Sequence, residues 1–211
     1  MNQYANPEAV VDTEWLAERR DDSGVVVLDI HLDPEPYEAG HIPGAVFWNA
    51  VGTLLQADYR TNFDSEHVRS LLGSAGISDD TTVVVTSDHP GMPPWAYWYL
   101  RSVGHDEVRV LNGGNRKWKA EDRPVSTEAP TVVAVSAPTP SLDLSRRAQI
   151  EDVIAVTEGG EGVLLDVRTE EEYRGDLFLV APPTGSERAG HIPGAAYIYY
   201  EEALHEDGTF R

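Results

Sequence analysis

Apolar residues fall along this chain in two patterns, short unbroken runs and sets spaced three or four apart. Residues 25–30 (V-V-V-L-D-I) are almost continuously hydrophobic, as in a strand buried on both faces. Residues 81–85 and 108–111 read the same way. Between them, Val68, Leu71, Leu72 and Ala75 recur at helical spacing behind Asp64, a suitable N-cap, and Gly76 closes the segment. That spacing predicts a helix over 65–75. Further helices are expected over 34–38, 94–103 and 115–121, the last behind Gly113-Gly114. Strands alternating with short crossover helices predict an α/β fold, a mainly parallel sheet flanked by helices.

After residue 123 the pattern changes. Residues 123–140 carry four prolines among Ser, Thr and Ala, which reads as an extended linker. A helix is expected from Ser145, with Ile150, Val153, Ile154 and Val156 toward a core and Gly159-Gly160 as its break. A strand over 163–167 and a helical turn over 169–173 follow.

The heptapeptide A-G-H-I-P-G-A then appears for a second time, at 189–195 after 39–45, so the chain repeats one unit. Residues 25–30 match 162–167 at an offset of 137, and the heptapeptides match at 150. The 13-residue difference is an insertion between Tyr173 and Ala189. The expected organisation is a first domain over 1–124, a linker over 125–141, and over 142–211 the N-terminal half of a second copy. Copy one continues for about 64 residues past the point that matches Arg211.

Within the repeated turn, proline restrains Ile42 and Ile192 to extended geometry, and Pro-Gly suits the centre of a type II turn with glycine at positive φ. The turn should reverse the chain into a strand beginning at Ala45 or Ala195. His41 and His191 are expected to fix it by hydrogen bonding. No other His, Asp or Glu stands at ligand spacing from them, so no metal site is expected.

Composition narrows the chemistry. The chain has 36 acidic and 16 basic residues, a formal charge of -20, which argues against nucleic acid or an anionic membrane as partner. Only Lys117 and Lys119 are lysines, and an acid-rich, lysine-poor composition suits a salt-adapted protein, although a GC-rich genome would also favour arginine over lysine. The N-terminus has no basic start or apolar run, and no stretch approaches 18 apolar residues, so a cytoplasmic protein is expected. There is no cysteine, hence no disulfide, thiolate metal site or thiol nucleophile in these 211 residues.

Taken in order, L-D-V-R-T-E-E-E-Y-R-G, A-G-H-I-P-G-A and D-G-T-F, preceded by a divergent copy and by W-A-Y-W-Y-L-R-S-V-G-H-D-E-V-R-V-L-N-G-G-N-R-K-W, resemble the tandem-domain thiosulfate sulfurtransferases, the rhodaneses. The resemblance runs from about Val11 to Arg211 and implies two rhodanese-like domains, the second incomplete here. It implies catalysis by one cysteine of the second domain, in a loop between a strand and a helix where backbone N–H groups and the helix terminus favour the thiolate. The partners implied are thiosulfate, a small anionic sulfur donor, and a thiophilic acceptor such as cyanide, with no cofactor.

In copy one the corresponding loop holds Ser87, Asp88 and His89 with prolines and no thiol, and is expected to be silent. Three consecutive side chains rarely converge as a hydrolytic triad must. In copy two the loop would lie near position 237 or 238 by repeat register, beyond Arg211, so no catalytic residue is assigned. Asp166, Arg168, Tyr173, Gly190, His191 and Gly194 match the family's second-domain pattern and are expected to be mainly structural, as is His41. Arg168 is the candidate for facing an anionic substrate, against the alternative of a surface salt bridge to Glu171 or Glu172. Glu172 stands where some branches have a substrate-binding arginine before the tyrosine, so that role is not carried over. The competing readings are a sulfurtransferase whose nucleophile lies outside these residues, a non-catalytic rhodanese-like binding or regulatory module, and a broken product without a stable second domain.

Overall fold

The computed structural model describes residues 4–137, 139–178 and 181–211; one residue of the expected linker and two of the insertion lie outside that set. The chain divides into two compact units, residues 1–146 with 206–210, and residues 147–205 with Arg211.

The first unit is built on a five-stranded, wholly parallel sheet. Its strands are β1 (Val10–Val11), β2 (Val25–His31), β3 (Val46–Asn49), β4 (Thr82–Thr86) and β5 (Val108–Leu111), in the order β1-β5-β4-β2-β3. The central position of β2 and β4 explains their unbroken apolar sequence, because both faces are covered. One face packs Leu28, Ile30, Val83 and Val85 against α4 (Ser65–Ser74) and α5 (Met92–Ser102). The other packs Val27 and Val84 against α1 (Thr13–Arg19), α2 (Glu35–Ala39) and α6 (Gly114–Ala120), with Leu16 and Trp118 at its centre. Helix α3 (Ala50–Leu54) follows β3. The sequence pattern did not reveal α1, which Asp12 caps by accepting the Trp15 N–H at 2.7 Å.

Residues 125–137 and 139–143 run along this unit without regular secondary structure. Ser126 exchanges both backbone hydrogen bonds with His41 at 2.9 Å, Val135 N–H donates to Gly73 O at 3.0 Å, and Ser141 N–H donates to Val103 O at 3.0 Å.

The second unit contains α7 (Ile150–Thr157), β6 (Leu165–Asp166), α8 (Glu170–Arg174) and β7 (Ala196–Tyr197), then a 3-10 turn at Tyr200–Ala203. These repeat α1, β2, α2, β3 and α3. Among the described residues β6 and β7 form a two-stranded parallel sheet. Two elements depart from the sequence pattern. The helix expected from Ser145 begins at Ile150, because the Asp152 carboxylate accepts the Gln149 N–H at 2.7 Å and fixes the start there, while Leu144–Arg146 is a separate 3-10 turn. The strand expected over 163–167 is reduced to two residues, since β6 has a neighbour on one side only. Among the described residues no helix is long and apolar enough to cross a membrane.

Candidate functional site in the second repeat

Each A-G-H-I-P-G-A segment folds into the same clamp. Ala45 N–H donates to Ile42 O at 2.9 Å and Ala195 N–H to Ile192 O at 3.0 Å, with Gly44 at φ +85° and Gly194 at φ +82°, the left-handed position that a type II turn reserves for glycine. The histidine of each turn lies flat on a tyrosine: His41 on Tyr37 at 3.7 Å and His191 on Tyr173 at 3.8 Å between ring centres. Each histidine Nδ1 donates to the carbonyl of its tyrosine at 2.8 Å, and each tyrosine hydroxyl donates to the alanine carbonyl closing the turn, at 2.7 Å in copy one and 3.1 Å in copy two. Tyr37 was not singled out by sequence, although it precedes its turn as Tyr173 does. Burial, then the nearby Asp29 carboxylate, push the Tyr37 hydroxyl above its ordinary pKa.

The second shared feature is the aspartate ending each central strand. In copy two, Arg168 forks onto Asp166, Nη2 to Oδ2 at 2.6 Å and Nε to Oδ1 at 3.0 Å, and Nη2 also donates to Gly190 O at 2.9 Å. Its ion pair is therefore with Asp166, where the sequence suggested Glu171 or Glu172. The Arg168 hydrogen bonds hold the Asp166 carboxyl below the usual range, and Asp166 in turn raises the Arg168 pKa. Arg168 thereby ties the strand end to the turn. Glu172 instead caps α8, accepting from Thr169 N–H at 3.1 Å and Thr169 Oγ1 at 2.9 Å.

In copy one, Asp29 and His31 stand where copy two has Asp166 and Arg168. Asp29 is completely buried and accepts from His31 Nε2 at 2.7 Å and from Asn115 Nδ2 at 2.8 Å; Asn115 Oδ1 accepts from Thr86 Oγ1 at 2.8 Å. A buried carboxylate requires such donors, and this network lies below the loop expected to be silent.

That loop is occupied by its own bonds. Ser87 Oγ accepts the His89 N–H at 3.1 Å, His89 Nδ1 accepts the Gly91 N–H at 3.1 Å, and Asp88 pairs with Lys119 at 3.2 Å. The segment thus forms local turns with Asp88 directed to a lysine. Pro93 and Pro94 lie in the first turn of α5, removing N–H groups that an anion would need there. Gly114 backs the loop at φ +56°, and a Cβ on it would come within 2.5 Å of Ser87 O.

In the second unit a cleft of about 710 Å³ is lined by Leu165, Asp166, Val167, Arg168, Arg188, His191 and Ile192, among others. Its counterparts in the first unit are covered: Leu28 and Ile42 are 0% and 1% exposed, whereas Leu165 and Ile192 are 56% and 45% exposed. In copy one Leu28 is paired along the β4 edge and packed against α4 and α5, and Ile42 lies in the cluster with Leu16, Leu111 and Trp118. Gly190 and Gly194 shape the turn at its edge, and Arg188 adds a second guanidinium.

The rhodanese-like domain profile matches residues 12–121, more than half of the chain and the greater part of the first unit. The protein belongs to the rhodanese family. Among curated relatives, the sulfur carrier protein TtuD of Thermus thermophilus is 39% identical over 99% of this chain and 75% of its own length. A putative thiosulfate sulfurtransferase of Saccharopolyspora erythraea is 33% identical over 97% of the chain and 73% of its own length. This rhodanese chain thus spans about three-quarters of the relatives it matches. Among solved structures, SseA of Escherichia coli, described as a 3-mercaptopyruvate sulfotransferase, superposes with a TM-score of 0.80 at 22% identity over 96% of this chain and 79% of its own, which supports the rhodanese fold.

Proposed function

We propose that these residues form the first domain and the leading half of the second domain of a thiosulfate sulfurtransferase. The carrying observation is similarity through both repeats, rather than the first alone, to relatives named for sulfur transfer or sulfur carriage. In this reading the nucleophile is a cysteine contributed by residues following Arg211, and the exposed cleft of the second unit is the face on which they pack. The thiolate attacks the outer sulfur of thiosulfate, the S–S bond breaks, and sulfite leaves with the bonding pair. The resulting persulfide gives its outer sulfur to cyanide or another thiophile, regenerating the thiolate. Both steps transfer sulfur without an external oxidant or reductant.

The present residues contribute the frame. Asp166, Arg168, Tyr173 and His191 fix the turn beside the cleft, and Arg168 and Arg188 add positive charge to a surface of net charge -20. The opposing reading, a non-catalytic rhodanese-like module, is favoured by the absence of cysteine from the sequence. The two separate on one assay, cyanide-dependent thiocyanate formation from thiosulfate by the natural-length product and by the 211-residue chain. The natural-length product should turn over and carry a cyanide-labile sulfur, and the shorter chain should not. A natural-length product that transfers no sulfur would leave the binding-module reading standing, and turnover by the cysteine-free chain would remove the persulfide mechanism.

A further inference from the structure

Residues 206–210 pack as part of the first unit, although His205 and Arg211 on either side belong to the second. Asp207 Oδ1 accepts the Thr209 N–H at 3.0 Å and its hydroxyl at 2.6 Å, forming a tight turn with Gly208 at φ +81°. The turn presents Phe210. Its N–H donates to Asn112 Oδ1 at 2.9 Å, its carbonyl accepts the Tyr4 hydroxyl at 2.9 Å, and its ring joins the apolar cluster on the α4/α5 face of the sheet. Asn112 itself is nearly buried just past the end of β5, with its own N–H given to Val11 O at 2.8 Å.

Copy one provides an internal comparison. Its corresponding turn has the same local bond, Arg60 N–H to Asp58 Oδ1 at 3.1 Å, and the same closing bond, Asn62 N–H to Leu54 O at 2.8 Å against Arg211 N–H to Ala203 O at 3.0 Å, which places Thr61 opposite Phe210. Copy one thus carries no ring at this position, and the anchoring ring is particular to copy two. Docking requires the seat made by Asn112, Tyr4 and the apolar cluster.

We propose that the end of β5 is an intramolecular docking site for the Gly208-Thr209-Phe210 turn, with Asn112 as its receptor, and that the non-catalytic first domain acts by holding the second repeat's chain at this point. The docking stands on the geometry alone; its use to position a catalytic domain rests on the sulfurtransferase reading. Asn112 is thus a positioning residue. Removing its acceptor leaves a half-buried N–H unpaired, so opening of the turn should become about tenfold more frequent.

The test is amide hydrogen exchange on the 211-residue chain, followed residue by residue. Asn112→Ala should speed exchange at Phe210 about tenfold, and exchange at Ala196, whose N–H bonds Leu164 O inside the second unit, should rise with it. Asn112→Asp, which keeps the acceptor, should restore both. Should Asn112→Ala unfold the first unit, Phe210→Ala removes the ring while leaving the sheet intact and should give the same rise at Ala196. Unprotected exchange at Phe210 in the unaltered chain, no change on Asn112→Ala, or release of Phe210 with Ala196 still protected would each overturn the proposal. Because no turnover is measured, failure here is separate from failure of the sulfurtransferase reading.

Discussion

At the scale of single residues, the two copies solve one problem differently. A carboxylate at the end of the central strand must be met by hydrogen-bond donors, and copy two uses the arginine two residues on, while copy one uses His31 with Asn115, which is 86 residues distant in sequence. The sequence singled out Asp166 and Arg168 without pairing them, because Glu171 and Glu172 stand as near to the arginine along the chain, and nothing local marks Asn115 as facing Asp29. A second long-range residue gives a pH prediction. Burial opposes ionisation of Glu121, but hydrogen bonds from Lys117, Thr13 and Arg123 outweigh it and hold its pKa at about 2. The Thr13 bond joins α1 to α6. With the folded value below the ordinary 4.5, the ionised form favours the folded state, so this contribution is complete above about pH 4.5 and lost as pH falls toward 2. Glu121→Gln should therefore be less stable than the parent chain at pH 6 in urea titrations, with the gap closing over that interval. A gap independent of pH would exclude the assignment.

At the scale of elements, the strands of the first unit were legible because β2, β4 and β5 are buried on both faces and their apolar runs report burial directly. Helix α1 escaped because its buried face is small, Thr13 and Leu16 among polar neighbours. In the second unit the same kind of run, residues 163–167, produced a two-residue strand: hydrophobic pattern states what a segment could bury, and pairing depends on what lies beside it. The repeated turn shows the same dependence. His41 is completely buried, stacks on Tyr37, and has Nε2 within 3.2 Å of Glu128 O, whereas His191 is exposed and keeps only the stack and the Tyr173 carbonyl among the described residues. His41→Ala empties a completely buried site and removes both the stack on Tyr37 and a hydrogen bond to its carbonyl, and should cost about 2–3 kcal/mol, against about 1 kcal/mol or less for the exposed His191→Ala. Denaturant unfolding of the two variants measures the difference, and equal losses would mean that the two turns are held equally despite their burial.

At the scale of the whole molecule, charge is the dominant unsatisfied quantity. Among the described residues basic side chains pair with carboxylates from Arg19 with Glu18 to Arg174 with Glu170, against a formal surplus of 20 negative charges. Salt weakens both attraction in the pairs and repulsion among the unbalanced carboxylates, so the sign of its effect depends on which is stronger. Most of the pairs are exposed and join close sequence neighbours, a class worth about 0–1 kcal/mol each and formed partly in the unfolded chain as well. Repulsion grows on compaction, because folding brings carboxylates from distant parts of the sequence within the screening length, about 10 Å at 0.1 M salt and about 3 Å at 1 M. Repulsion therefore outweighs the pairs, and relieving it should stabilise the fold. The thermal midpoint should be several degrees higher in about 1 M than in about 0.05 M potassium chloride. Chloride is chosen because sulfate would stabilise by exclusion from any protein surface. Replacing exposed acids outside the ion pairs, such as Glu66 and Glu151, by glutamine should shrink the salt effect while raising the low-salt midpoint. A midpoint that falls with chloride would show that the ion pairs outweigh the surplus, and the acidic surface would then have no salt-adaptive role.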